Sequence, residues 1–146
     1  MVNHVLSVAE LGTENLTSLV DRALMLAHED HGNKPTLNGK VVGIYFRCSS
    51  TRTRTAFSVG AMKLGAKIIS YGPSDLQLVT GETIQDTARV LANYLNALVV
   101  RTNDSIEEMK PMTMQYDMAI INALSELEHP TQSIADLVTI KEIFGR

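Results

Sequence analysis

The chain has 146 residues, 45% of them hydrophobic and 20% charged, with a formal net charge of −3, a balance that suits one soluble globular domain and excludes the diffuse positive field of a nucleic-acid binder. Its single cysteine, Cys48, excludes an internal disulfide and a cysteine metal cluster; no metal and no cofactor are expected. No apolar stretch approaches the roughly 20 residues needed to cross a bilayer, and no basic start with an apolar block opens the chain, so the expected setting is the cytoplasm, away from membranes.

In chain order, helical spacing from about Glu14 to His28 predicts an amphipathic helix, and the Asn38-Gly39 turn leads into a first buried strand, Val41 to Phe46. A helix over Thr53 to Leu64, stopped by Gly65, precedes a second strand at Lys67 to Tyr71. The connection Gly72 to Gly81 is long, and its composition predicts little structure; such loops are often functional. A helix over Thr83 to Leu95, a strand at Ala97 to Val100, a weaker helix from Ser105 to about Tyr116, a strand at Met118 to Ile121 and a final helix from Pro130 to Phe144 complete the pattern. Short Val- and Ile-rich runs alternating with helices predict an α/β fold, an open parallel sheet of four or more strands with helices on both faces in a single domain, residues 1–146. Ligands of such sheets sit at the carboxyl ends of the strands.

Three groups of residues fall at that edge. The first strand runs into Arg47-Cys48-Ser49-Ser50-Thr51-Arg52-Thr53-Arg54-Thr55, a density of hydroxyl and guanidinium groups that a bare turn does not need. A helix N-terminus with unpaired N–H groups, hydroxyl donors and an arginine fork makes an oxyanion site. Capping and surface charge are the plain alternatives for any one of these residues, and the cluster lacks the glycines and lysine of a P-loop. Arg101 emerges directly after the third apolar strand. Glu128-His129-Pro130-Thr131-Gln132 follows the fourth, with His129 and Gln132 at a spacing that puts both on one helix face. Cys48 has no base partner in sequence and is not read as a nucleophile. His4, His28 and His31 read as surface residues, and Met109, Met112, Met114 and Met118 as core filler or subunit contact.

Ser50-Thr51-Arg52-Thr53-Arg54 resembles the phosphate-binding signature of the aspartate and ornithine carbamoyltransferases, and His129-Pro130-Thr131-Gln132 resembles their second signature. The run Gly81 to Leu91 is similar to the family's segment after a mobile loop, and Ile134-Ala135-Asp136-Leu137 continues the second signature. The resemblance implies that Ser50, Thr51, Arg52 and Thr53 bind the phosphate of carbamoyl phosphate, with Arg101 reaching both phosphate and carbonyl oxygen. It implies that His129 and Thr51 polarise the carbonyl and that Gln132 accepts from the carbamoyl NH2, with Arg52, Arg101, His129 and Thr51 carrying the catalysis. It further implies a homotrimer with shared active sites, in which the Gly72 to Gly81 loop brings Gln77 to a neighbour's ligand. Thr80 stands where aspartate-type members carry a lysine, which favours an ornithine-like acceptor. Arg52 and Glu82 are expected to pair across the loop. Family members are longer, with a second domain that holds the amino-acid acceptor and is missing here, so this chain alone is expected to bind the donor and scarcely transfer it. A stand-alone sensor of carbamoyl phosphate, or of a similar phosphorylated metabolite, is the alternative from another functional class.

Overall fold

The computed structural model describes residues 4–28 and 35–145, so the expectation for His31 lies outside the described residues. Four strands, β1 (Val41–Phe46), β2 (Lys67–Tyr71), β3 (Ala97–Arg101) and β4 (Ala119–Leu124), form one parallel sheet in the order β2-β1-β3-β4. Among the described residues, four α-helices, α1 (Val8–His28), α2 (Arg52–Lys63), α3 (Ile84–Leu91) and α4 (Pro130–Phe144), cover it from both sides. The predicted α/β class stands.

Alternation along each strand divides the interior into two layers. Tyr45, Leu98, Val100 and Ile120 pack with Leu95, Ala88, Met109, Met112 and Met118 under α3 and the β3–β4 connection. Val42, Ile44, Phe46, Val99 and Ala123 pack with Ala61 and Ala66 beneath α2. Gly43 sits where β1 meets the first layer. A Cβ there would lie 2.6 Å from Leu95 Cδ1 and 2.8 Å from Leu98 Cδ1, so only glycine lets those leucines close on the strand.

Several boundaries differ from expectation. α1 begins at Val8, and the backbone at Gly12 (φ 71°, ψ 160°) breaks it, so the periodic pattern resumes only near Glu14. α3 ends at Leu91, with turns continuing to Leu95. The weak helix after Ser105 is two short 3₁₀ helices, Ile106–Glu108 and Lys110–Met114, because Pro111 lacks the N–H that a continuous helix needs. The Gly72 to Gly81 connection is more ordered than its composition suggests. It holds a 3₁₀ turn at Gln77–Thr80 and drives Leu76 into the core.

Two minor readings resolve residue by residue, and only His4 departs from expectation. His4 is half-buried and precedes α1, where its Nδ1 accepts from the Ile120 N–H at 3.1 Å, while His28 is exposed with Nε2 3.2 Å from Glu142. Among the four methionines, Met109, Met112 and Met118 are core, and Met114 is exposed.

Candidate functional site

The connection after β1 leads through α2 to β2 on one side, whereas β3 continues to β4 on the other. The chain therefore reverses its direction of winding between the adjacent strands β1 and β3. In an open α/β sheet such a switch point leaves a crevice outside the carboxyl ends, where no crossover covers the edge. Residues 47–53 leave β1 there, and Arg101 ends β3 beside them. His129 stands one strand further on, after β4.

Arg101 Nη1 donates to Ser50 Oγ at 2.9 Å and to Thr53 Oγ1 at 3.4 Å, and its Nε donates to Asn103 Oδ1 at 3.3 Å. Its backbone is fixed as well: Arg47 N–H donates to the Arg101 carbonyl at 2.9 Å, and the β3–β4 register shifts at Val100/Arg101. Thr51 is the residue before α2, is exposed, and makes no capping bond with its side chain, so the first N–H groups of α2 are left without a side-chain cap. Arg52 is exposed and, among the described residues, has no ion-pair partner. The expected pair with Glu82 is not formed within this chain; Glu82 Oε2 instead accepts from Thr87 Oγ1 at 3.0 Å. Arg54 turns away to lie over the Phe46 ring, 5.3 Å from its centre.

On the opposite wall, His129 is not on the helix face but is the residue that caps α4. Its Nδ1 accepts from the Gln132 N–H at 3.4 Å and lies 3.3 Å from Thr131 Oγ1. An Nδ1 used as acceptor assigns the neutral ring its proton on Nε2, leaving that N–H free to donate. Burial, and then the positive charge of Arg101, hold the His129 pKa below the ordinary 6.5, which favours the neutral donor at pH 7. The Gln132 amide NH2 is held by Asp136 Oδ1 at 2.9 Å, which turns its carbonyl oxygen into the available group.

Glu128, just before His129, binds the start of the chain: its carboxylate accepts from Ser7 Oγ at 2.9 Å and from the Val8 N–H at 3.0 Å. Together with Asn122 Nδ2 donating to the Leu6 carbonyl at 2.8 Å, these bonds tie the loop that delivers His129 to residues from the far end of the sequence.

Arg52, Thr53, Arg101, His129, Thr131 and Gln132 all line one end of a cleft of about 1060 Å³ that runs between α2 and α4 over Val42, Val99 and Ile121. Of the residues singled out in the sequence, Ser50 joins this group through its bond to Arg101, and Thr51, exposed and next in sequence to Arg52, is not among the lining residues. Gln77 does not join it. Its Oε1 accepts from Thr80 Oγ1 at 2.8 Å, and it lies outside the cleft of its own chain. Thr131 and Asn103 are contacts that the sequence reading left without a role. Thr131 could have been found by its place in the second signature, whereas Asn103-Asp104 carries only the signal of a turn.

The family model for the aspartate/ornithine carbamoyltransferase carbamoyl-P binding domain matches residues 3–142. The chain belongs to that family. It is 42% identical over 142 residues to an ornithine carbamoyltransferase of a Synechocystis species, covering 97% of this chain and 45% of that protein. It is 38% identical over 143 residues to the ornithine carbamoyltransferase of Haloquadratum walsbyi, covering 98% and 47%. Among solved structures, the anabolic ornithine carbamoyltransferase of Campylobacter jejuni superposes with a TM-score of 0.87 at 38% identity, over 97% of this chain and 45% of that one. The ornithine carbamoyltransferase of Pyrococcus furiosus gives 0.89 at 32% identity, over 98% and 46%. The chain thus spans about half the length of the relatives it matches.

Proposed function

We propose that this carbamoyl-phosphate-binding domain serves a carbamoyltransferase that passes the carbamoyl group to an amino-acid amine, with an ornithine-like acceptor held by a second domain. The observation that carries the reading is Arg101 bonded to Ser50 and Thr53 at the N-terminus of α2, facing His129 and Gln132 along the same cleft end. The donor's phosphate fits the α2 N–H groups, the Ser50, Thr51 and Thr53 hydroxyls and the Arg52 guanidinium, which Arg101 supplements. His129 Nε2–H and the Thr51 hydroxyl meet the carbamoyl oxygen. The Gln132 carbonyl takes the carbamoyl NH2, leaving the carbon open to the amine.

As the amine attacks, charge gathers on the carbamoyl oxygen, and these donors hold it until the C–O bond to phosphate breaks, the departing phosphate taking up the proton that the amine gives up; no protein nucleophile is needed, and Cys48 has no part. The names of the relatives, together with Thr80 in place of the aspartate-type lysine, support the ornithine-like acceptor. Gln77 and Glu82, which make no contact with the cleft or with Arg52 of their own chain, fit a homotrimer in which the Gly72 to Gly81 loop serves the adjacent site.

The test is calorimetric titration of the chain with carbamoyl phosphate and with inorganic phosphate, repeated for Arg52→Ala and His129→Ala. Saturable binding that prefers carbamoyl phosphate and collapses in Arg52→Ala is expected. His129→Ala should lose the preference for carbamoyl phosphate while keeping phosphate. No binding by the folded chain overturns the reading.

A further inference from the structure

Asn103 is the one non-glycine residue among those described with a positive φ, 63°. Left-handed backbone is unfavourable for most side chains and tolerated by asparagine, so its appearance directly beyond the strand that carries Arg101 asks for a reason. The surrounding frame is fixed independently of the Asn103 side chain. Thr102 N–H donates to the Leu124 carbonyl at 3.2 Å, Asp104 N–H to Thr102 Oγ1 at 3.1 Å, and Glu126 N–H to the Asp104 carbonyl at 2.8 Å. Arg47 Nη1 then joins Asp104 at 3.0 Å and Glu108 at 2.6 Å. Within that frame the left-handed turn folds the Asn103 amide back, so that Oδ1 meets Arg101 Nε at 3.3 Å.

We propose that Asn103 is a positioning residue: its amide oxygen occupies Arg101 Nε and thereby sets the plane of the guanidinium, so that Nη1 faces Ser50 and Thr53 and the remaining N–H groups face the bound anion. This rests on the reading of the cleft end as the carbamoyl-phosphate site. The residue type suits the task in three ways. Asparagine accepts the backbone conformation, its side chain is short enough to reach a neighbour two residues back, and its acceptor is neutral. An aspartate would meet the first two conditions, but its carboxylate would oppose the ligand's own charge and draw the guanidinium from it. A planar guanidinium delivers its donors only in the plane in which it is held, so a group that fixes Nε acts on every bond the other nitrogens make.

Asn103→Gly keeps the left-handed backbone and removes the acceptor, which separates orientation from folding. Two readings of that variant decide the matter. In a ¹⁵N–¹H spectrum of arginine Nε–H groups, with the Arg101 signal assigned by its loss in Arg101→Lys, exchange of that proton with water should quicken about fivefold, the equivalent of one modest hydrogen bond, while the melting temperature holds. In titration with carbamoyl phosphate, affinity should fall by a similar factor of about five, and the fall should vanish in an Arg101→Lys background, whose side chain has no Nε–H for Asn103 to hold. An unchanged Arg101 Nε–H signal in Asn103→Gly overturns the proposal whether or not the ligand binds. An equal loss of affinity in the Arg101→Lys background also overturns it, because Asn103 would then act by another route. A wild-type chain that fails to bind carbamoyl phosphate removes the donor-site reading alone, and the Nε–H signal still decides whether Asn103 orients Arg101.

Discussion

Ile120 and Ile121 are adjacent on β4 and look into opposite surroundings. Ile120 is fully buried among Leu98, Val100, Met109 and Met118, in the layer that α3 and the β3–β4 connection close off. Ile121 packs against the other layer but also lines the cleft between α2 and α4, where the sheet face stays open beside the functional groups. One side of the sheet is built as a closed interior and the other as a wall for something to lie against. Stability and ligand binding should therefore respond to substitution on opposite sides.

The largest expected difference comes from one substitution made on each side. Ile120→Ala removes contacts on all sides and leaves a void, so it should cost about 2–5 kcal/mol. Ile121→Ala opens onto a cleft that already exists, and the cost should be nearer the transfer value of the lost groups, roughly 1–2 kcal/mol. Urea denaturation of both variants gives the two numbers. Equal losses would mean that the open face is packed as tightly as the closed one, and the contrast would fail.

A smaller effect should come from overfilling the closed side. At Gly43 an added methyl meets Leu95 Cδ1 and Leu98 Cδ1, the ends of side chains that are 2% and 1% exposed, so they can yield only by repacking the closed layer. Gly43→Ala should cost about 1–3 kcal/mol of stability while leaving phosphate affinity unchanged, because the strain lies on the face away from Arg101. Thermal melts with and without the ligand measure both. A loss of affinity larger than the fraction unfolded explains would show that the two faces are coupled through the strand.

The same division explains what could be read from the sequence. β1 and β2 are marked by β-branched runs with turn residues at their ends, and their limits match expectation residue for residue. β4 does not, because Asn122 interrupts the apolar run. Its side chain is wholly buried and serves the Leu6 carbonyl, a partner 116 positions away that no local pattern reveals. At the site, the Ser50 to Thr53 cluster and Arg101 stand out in the sequence because more hydroxyl and guanidinium groups collect at one sheet edge than the capping of a strand-to-helix turn requires. The cap formed by His129 was misread as a helix face, since spacing alone does not distinguish a capping residue from the first helical turn. Asn103 was hidden for another reason: its importance lies in a backbone angle.

The smallest expected effect concerns the two histidines with lowered pKa values. His4 is lowered by burial and His129 by burial and then by Arg101, both from 6.5. A folded-state pKa below the unfolded one means that the unfolded chain takes up protons first as the pH falls. Each histidine's contribution is present in full above 6.5 and is lost as the pH drops from there through its lowered value. Melting temperature should therefore fall on acidification through that window, and His129→Gln should reduce the slope without abolishing it, because His4 still gives up its bond to the Ile120 N–H when it is protonated. Saturating carbamoyl phosphate should flatten the His129 part alone: a bound anion offsets the charge of Arg101 and moves that pKa back toward 6.5, whereas His4, at the edge of β4 and outside the cleft, has no ligand to feel. A slope that responds to the ligand equally in wild type and His129→Gln would place the titrating group elsewhere and remove His129 from the electrostatics of the open face.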